Sequence, residues 1–78
     1  MKLQITNIHR EVSEEDLRAV FEKLGALKEC TLVLDAKTGG SKGFGFVVYE
    51  NPELHERAVK ELNGRKVNFQ PIKVKLKK

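Results

Sequence analysis

The sequence predicts an α+β domain in the order βαββαβ, with two helices laid on one face of a four-stranded antiparallel sheet. Three observations predict it. Residues 2–7, 27–35, 42–49 and 72–77 alternate apolar with polar side chains, the pattern of half-buried strands. Two other segments repeat their apolar residues at helical spacing, Leu17, Val20, Phe21 and Leu24 in one, Leu54, Ala58 and Leu62 in the other. Turn and cap residues separate these segments, among them Ser13, Gly25, Gly39-Gly40, Asn51-Pro52 and Asn63-Gly64. A chain of 78 residues has room for one domain, taken here as 1–78.

In the first strand Leu3 and Ile5 fall on one side and Gln4 and Thr6 on the other. Ser13 is a good N-cap for the first helix, and Glu14, Glu15 and Asp16 suit the positive end of its dipole. Asp16 stands where a capping box more usually has Glu or Gln. Gly25 is expected to end the helix as its C-cap. In the second strand Cys30, Leu32 and Leu34 are expected on one side, Thr31 and Val33 on the other. Residues 36–41 form a turn with two glycines free to take positive φ. Asn51 is expected to cap the second helix, with Pro52 at its first position and Asn63-Gly64 stopping it. Residues 67–69 suggest a short extended piece. Ile72, Val74 and Leu76 then alternate with Lys73, Lys75 and Lys77. This is the ferredoxin-like arrangement, with one sheet face buried and one open. Enzymes, metal carriers and binding modules all use it, so the open face has to decide the function.

Composition narrows the field. The chain is 40% hydrophobic and 33% charged, as a folded domain is and a disordered one is not. No apolar run approaches the roughly 18 residues that cross a bilayer, so no membrane association is expected. The single cysteine, Cys30, excludes an internal disulfide and a cysteine-rich metal site. It reads as a small core residue and fits a reducing, intracellular compartment. The formal charge of +4 favours a polyanionic partner. His9 and Arg10 read as a solvated loop pair, and His55 as an exposed helix residue with no partner at metal-ligand spacing. No Ser/His/Asp or Cys/His set is present to suggest catalysis, and the helix start accounts for Glu14, Glu15 and Asp16. No enzyme activity, cofactor or metal is expected, and the domain is read as a monomer.

Residues 42–49, Lys-Gly-Phe-Gly-Phe-Val-Val-Tyr, match every specified position of the pattern K/R-G-F/Y-G/A-F-V-x-F/Y. At average residue usage a chance match in such a chain is expected roughly once in a million. On a strand, Lys42, Phe44, Phe46 and Val48 share one face and Gly43, Gly45, Val47 and Tyr49 the other. With Val47 and Tyr49 turned to the helices, Phe44 and Phe46 are left on the open face. A small domain that leaves two phenylalanines out of its core offers them to something, and unstacked bases fit them.

These eight residues resemble the RNP1 segment of the RNA-recognition-motif family, and the likeness covers essentially the whole chain. Leu3-Gln4-Ile5-Thr6-Asn7-Ile8 resembles its RNP2 segment, and Phe21-Glu22-Lys23-Leu24-Gly25 part of its first helix. The resemblance implies a platform for single-stranded RNA, with single-stranded DNA a related ligand. It implies that Phe46 stacks on a base, that Phe44 packs against a base or between sugars, and that Lys42 pairs with a phosphate. Lys73 and Lys75 would hold the backbone at the sheet edge, and Thr6, Thr31 and Val33 would complete the platform. Gln4 departs from the family, which usually carries an aromatic ring there; it can hydrogen-bond to a base edge but stacks poorly. The fold's acylphosphatase version is not recognisable in Ile8-His9-Arg10-Glu11-Val12, and its metal-carrier version needs a cysteine pair. Two other readings stay open: a protein-interaction module, which Gln4 favours, and a redesigned domain that binds RNA weakly or not at all.

Overall fold

The computed structural model describes residues 1–77; Lys78, for which solubility and contact with a polyanion are equal readings of the sequence, lies outside the described residues. The elements are β1 (Lys2–Thr6), α1 (Glu14–Glu22), β2 (Leu27–Leu34), β3 (Ser41–Tyr49), α2 (Leu54–Leu62), β4 (Lys66–Val67), β5 (Gln70–Pro71) and β6 (Lys73–Lys77). Strands in the order β2-β3-β1-β6 form an antiparallel sheet, and β4 with β5 makes a separate two-stranded hairpin. Leu3 and Ile5 of β1, Cys30 and Leu32 of β2, Val47 and Tyr49 of β3 and Val74 of β6 point to one side. There they are buried against Leu17 and Phe21 of α1 and Ala58 and Leu62 of α2. Both helices therefore cover one face, as the alternation predicts.

The helix starts show local chemistry at work. Ser13 Oγ accepts the Asp16 N–H at 3.1 Å, and Asp16 Oδ2 accepts the Ser13 N–H at 3.1 Å. The capping box thus closes with Asp in the position usually held by Glu or Gln. The start of α2 differs from expectation. The helix begins at Leu54 rather than at Pro52, because residues 51–53 form a turn first. Within it Asn51 Oδ1 accepts the Glu53 N–H at 3.1 Å and the Asn51 carbonyl the Leu54 N–H at 3.1 Å. Asn51 still satisfies the first donors, from one turn upstream.

Four further expectations need correction. Gly25 does not cap α1: the cap is Lys23 in a right-handed helical conformation. A Cβ at Gly25 would meet the Leu54 Cδ1 methyl of α2, the far end of a flexible side chain. Leu34 does not continue the inward row of Cys30 and Leu32; a register shift between Leu32 and Leu34 releases it, and it is 55% exposed. Of residues 67–69 only Val67 is extended, as the end of β4; Asn68 and Phe69 form the turn of the β4–β5 hairpin, both at positive φ. His55 is buried, not exposed. Its Nε2 accepts the Tyr49 N–H at 3.1 Å, and its Nδ1 lies 2.9 Å from the Pro52 carbonyl oxygen. That pair of partners assigns the ring hydrogen to Nδ1.

Candidate nucleic-acid interface

The residues left facing away from the helices make the candidate site, and strand register fixes their order. Thr31 of β2 pairs with Phe46 of β3, Phe46 with Gln4 of β1, and Gln4 with Lys75 of β6. Thr31, Phe46, Gln4 and Lys75 therefore form one row across all four strands. With strands about 4.8 Å apart, that row is roughly 14 Å wide, enough for a nucleotide and its flanking backbone. A second pair, Thr6 with Lys73, lies two residues along, and Lys2 with Lys77 two residues the other way. Phe44 and Lys42 continue the outward face of β3 beyond Phe46, and Val33 that of β2 beyond Thr31. Of the eight residues expected at the site, register brings together Gln4, Thr6, Phe46, Lys73 and Lys75, while Lys42, Phe44 and Val33 lie in the stretch where the β2–β3 register shifts.

The two rings meet edge to face, with centroids 6.3 Å apart and planes at 87°. That geometry is favourable for the aromatic pair and fixes two ring orientations at once. Two glycines place them. At Gly45 a Cβ would lie 2.3 Å from the Thr31 carbonyl oxygen, so only glycine lets β2 close on β3 between the phenylalanines. Gly43 sits at φ +84, and its carbonyl accepts the Ile8 N–H at 2.9 Å, tying the β1–α1 loop to the start of β3.

Beneath the platform, Tyr49 joins sheet to helices. Its hydroxyl donates to the Phe21 carbonyl oxygen at 2.7 Å and its ring meets His55 edge to face at 5.5 Å. Burial pushes the Tyr49 hydroxyl up to about 12, with smaller contributions from Cys30 and Glu61. Burial likewise raises the Cys30 thiol, with Arg18 opposing, so Cys30 is a core residue rather than an activated nucleophile. Among the described residues no group of three or more His, Cys, Asp or Glu could hold a metal ion. No helix among them is long and apolar enough to cross a membrane.

One outward residue was not anticipated as part of the site. Lys2 places its Nζ over the Phe46 ring, 4.3 Å from the centroid. Alternation along β1 puts Lys2 on the same face as Gln4, a signal present in the sequence. Glu29 and Val48, paired across β2 and β3, also face outward at this end of the sheet.

The family profile described as RNA recognition motif matches residues 3–73. The chain belongs to the RNA recognition motif family. Probable RNA-binding protein 23 from Homo sapiens is 35% identical over 74 residues, which cover 95% of this chain and 17% of that protein. The poly(U)-binding-splicing factor PUF60 from Homo sapiens is 37% identical over 62 residues, 80% of this chain and 11% of that protein. The chain therefore spans less than a fifth of the length of either relative. Among solved structures, the Sxl-lethal protein of a protein/RNA complex superposes with a TM-score of 0.92 at 30% identity. That match covers 99% of this chain and 46% of the other. The RNP1-like and RNP2-like segments of this member are β3 and β1, the two central strands of its sheet.

Proposed function

We propose that this domain binds single-stranded RNA on the open face of its sheet, by stacking and electrostatic positioning and without covalent chemistry. The observation that carries the reading is the pair of phenylalanines held edge to face at the centre of the face that the helices leave uncovered. In this reading Phe46 stacks on a base, and Phe44 packs against a second base or the sugars between them. Lys42, Lys73 and Lys75 contact phosphates, which position the strand without reading sequence. Gln4, Thr6, Thr31 and Val33 complete the floor. The names of the relatives support it, since one is called an RNA-binding protein and another a poly(U)-binding splicing factor. The superposed Sxl-lethal protein was solved with RNA. Such relatives also agree with an intracellular protein.

A protein-docking role is favoured by one separate observation. Phe69, at the tip of the β4–β5 hairpin, is 95% exposed and held at φ 67. The hairpin is fastened to the β1–α1 loop by Gln70 Nε2 donating to the Asn7 carbonyl at 2.9 Å and Asn7 Nδ2 donating to the Pro71 carbonyl at 2.7 Å.

The experiment is a titration of the isotope-labelled domain with short mixed-sequence RNA, followed by NMR, alongside Phe46→Ala. Shifts centred on Thr31, Phe46, Gln4 and Lys75 are expected, with Phe46→Ala weakening binding about 5–150-fold while leaving the fold intact. An unperturbed sheet face at near-millimolar RNA would overturn the reading. Unfolding of Phe46→Ala would show that the ring is structural.

A further inference from the structure

We propose that Lys2 is the base-selecting residue of this platform, and that it favours bases presenting carbonyl oxygens, uracil and guanine, over adenine at Phe46. The inference rests on the RNA-binding reading and deepens it. The pairing of Gln4 with Phe46 makes Lys2 the diagonal neighbour of Phe46 across β1 and β3, a separation that a lysine side chain bridges. The ammonium indeed lies 4.3 Å from the ring centroid, well inside cation–π range.

A base stacked on the ring would lie about 3.5–4 Å above it, the optimum separation of carbon atoms. The ammonium therefore stands at the height a base would take, and the two cannot share the centre of the ring. The backbone of Lys2 is fixed in β1 between β3 and β6, so an incoming base displaces the ammonium only as far as the base's own edge. There Lys2 offers three N–H donors and no acceptor. Uracil, through its carbonyls, and guanine, through O6 and N7, present acceptors to such a donor. Adenine presents its N6 amino group, a second donor, beside N7. Lys75, paired with Gln4 on the far side of β1, adds another group that can only donate. Gln4 has a donor and an acceptor and discriminates little by itself. The carboxylate on this face, Glu29, belongs to β2 and pairs with Val48, on the far side of β3 from Lys2. The position that lacks the family's usual ring is thus flanked by cations, which exchange stacking for reading of the base edge.

The test compares affinities for short oligouridine and oligoadenosine in the wild type, in Lys2→Met and in Lys77→Met. The two variants lose the same charge from paired positions at one end of the sheet. Wild type should prefer oligouridine, and Lys2→Met should shrink that preference about tenfold, the worth of a charge-assisted hydrogen bond. Lys77→Met should weaken both ligands alike. In the free protein, the Lys2 ε-protons should show a ring-current shift that Phe46→Leu removes and that oligouridine alters. A wild type that binds both ligands with a ratio unchanged in Lys2→Met overturns the inference and leaves RNA binding standing. A wild type that binds neither overturns the RNA-binding reading and the inference with it.

Discussion

Replacing Tyr49 by Phe removes a single buried oxygen, and the structure says what that should do. The hydroxyl donates to the Phe21 carbonyl oxygen at 2.7 Å, where the last turn of α1 meets β3. An orphaned buried carbonyl would cost up to about 3 kcal/mol, but this one also accepts the Leu24 N–H at 3.2 Å. The loss at neutral pH should therefore lie near 1 kcal/mol, or a fall of about 4–8 °C in Tm for a domain of this size. Alkaline pH separates this explanation from simple loss of packing. The ordinary tyrosine value is 10.0, and burial raises that of Tyr49 to about 12. The folded-state value is the higher one, so the neutral hydroxyl contributes stability that is complete below pH 10 and is lost as pH rises towards 12. Tyr49→Phe has no such loss. The two stability curves, from urea unfolding at successive pH values, should converge above pH 10 and cross at about pH 11. The chain has one tyrosine and no tryptophan, so tyrosinate absorbance reports Tyr49 alone. Curves that stay parallel to pH 12, or a tyrosinate transition at the ordinary value in the folded protein, would refute the reasoning.

Salt and one glycine provide two more checks. If Lys42, Lys73 and Lys75 each neutralise a phosphate, the logarithm of affinity should fall against the logarithm of salt with a slope of about −2, at about −0.7 per contact on a single strand. Raising salt from about 50 to about 200 mM should then weaken binding about 20-fold, and Lys73→Ala should flatten the slope by about 0.7; a flat response would remove phosphates from the mechanism. Gly45→Ala should cost about 1–3 kcal/mol or more, since its Cβ would run into the Thr31 carbonyl oxygen on the β2–β3 ladder. Gly40→Ala, whose Cβ meets only Thr38 Oγ1 at 3.4 Å, is the control, and equal denaturation midpoints for the two would contradict the account of Gly45.

The sheet was legible because burying only one face writes a two-residue period into each strand, and β1 and residues 45–49 of β3 keep that period without interruption. It failed where tertiary packing overrode residue type or register. His55 looks like a surface residue, yet it shares the spacing of Ala58 and Leu62 and lies on the same inward stripe. What makes burial tolerable is the pair of partners at its two ring nitrogens, which no local pattern announces. Leu34 obeys the alternation on paper, but the shift in the β2–β3 register frees it. The β4–β5 hairpin escaped because strands of two residues carry no period, and its turn uses Asn68 and Phe69 where glycine is the usual signal. Of the candidate site, the shared face of Gln4, Thr6, Phe46, Lys73 and Lys75 was readable from alternation. The contact of Lys2 with Phe46 was not, because it depends on strand order, which places β1 beside β3.

That strand order also explains how one small sheet can serve stability and recognition with little conflict. The inward row of Leu3, Ile5, Val47 and Tyr49 meets the helices and completes the core without either outward phenylalanine. Phe44 and Phe46 can therefore be shaped for a ligand, since removing their side chains opens no cavity in the core. The two demands meet at Gly45, which lies between the rings in sequence and touches the β2 backbone in space. A side chain there would push β2 from β3, loosening the core and shifting Thr31 relative to Phe46 in the same movement. Gly45 should therefore be the position where stability and affinity fall together, whereas changes at Phe46 or Lys2 should move affinity far more than stability.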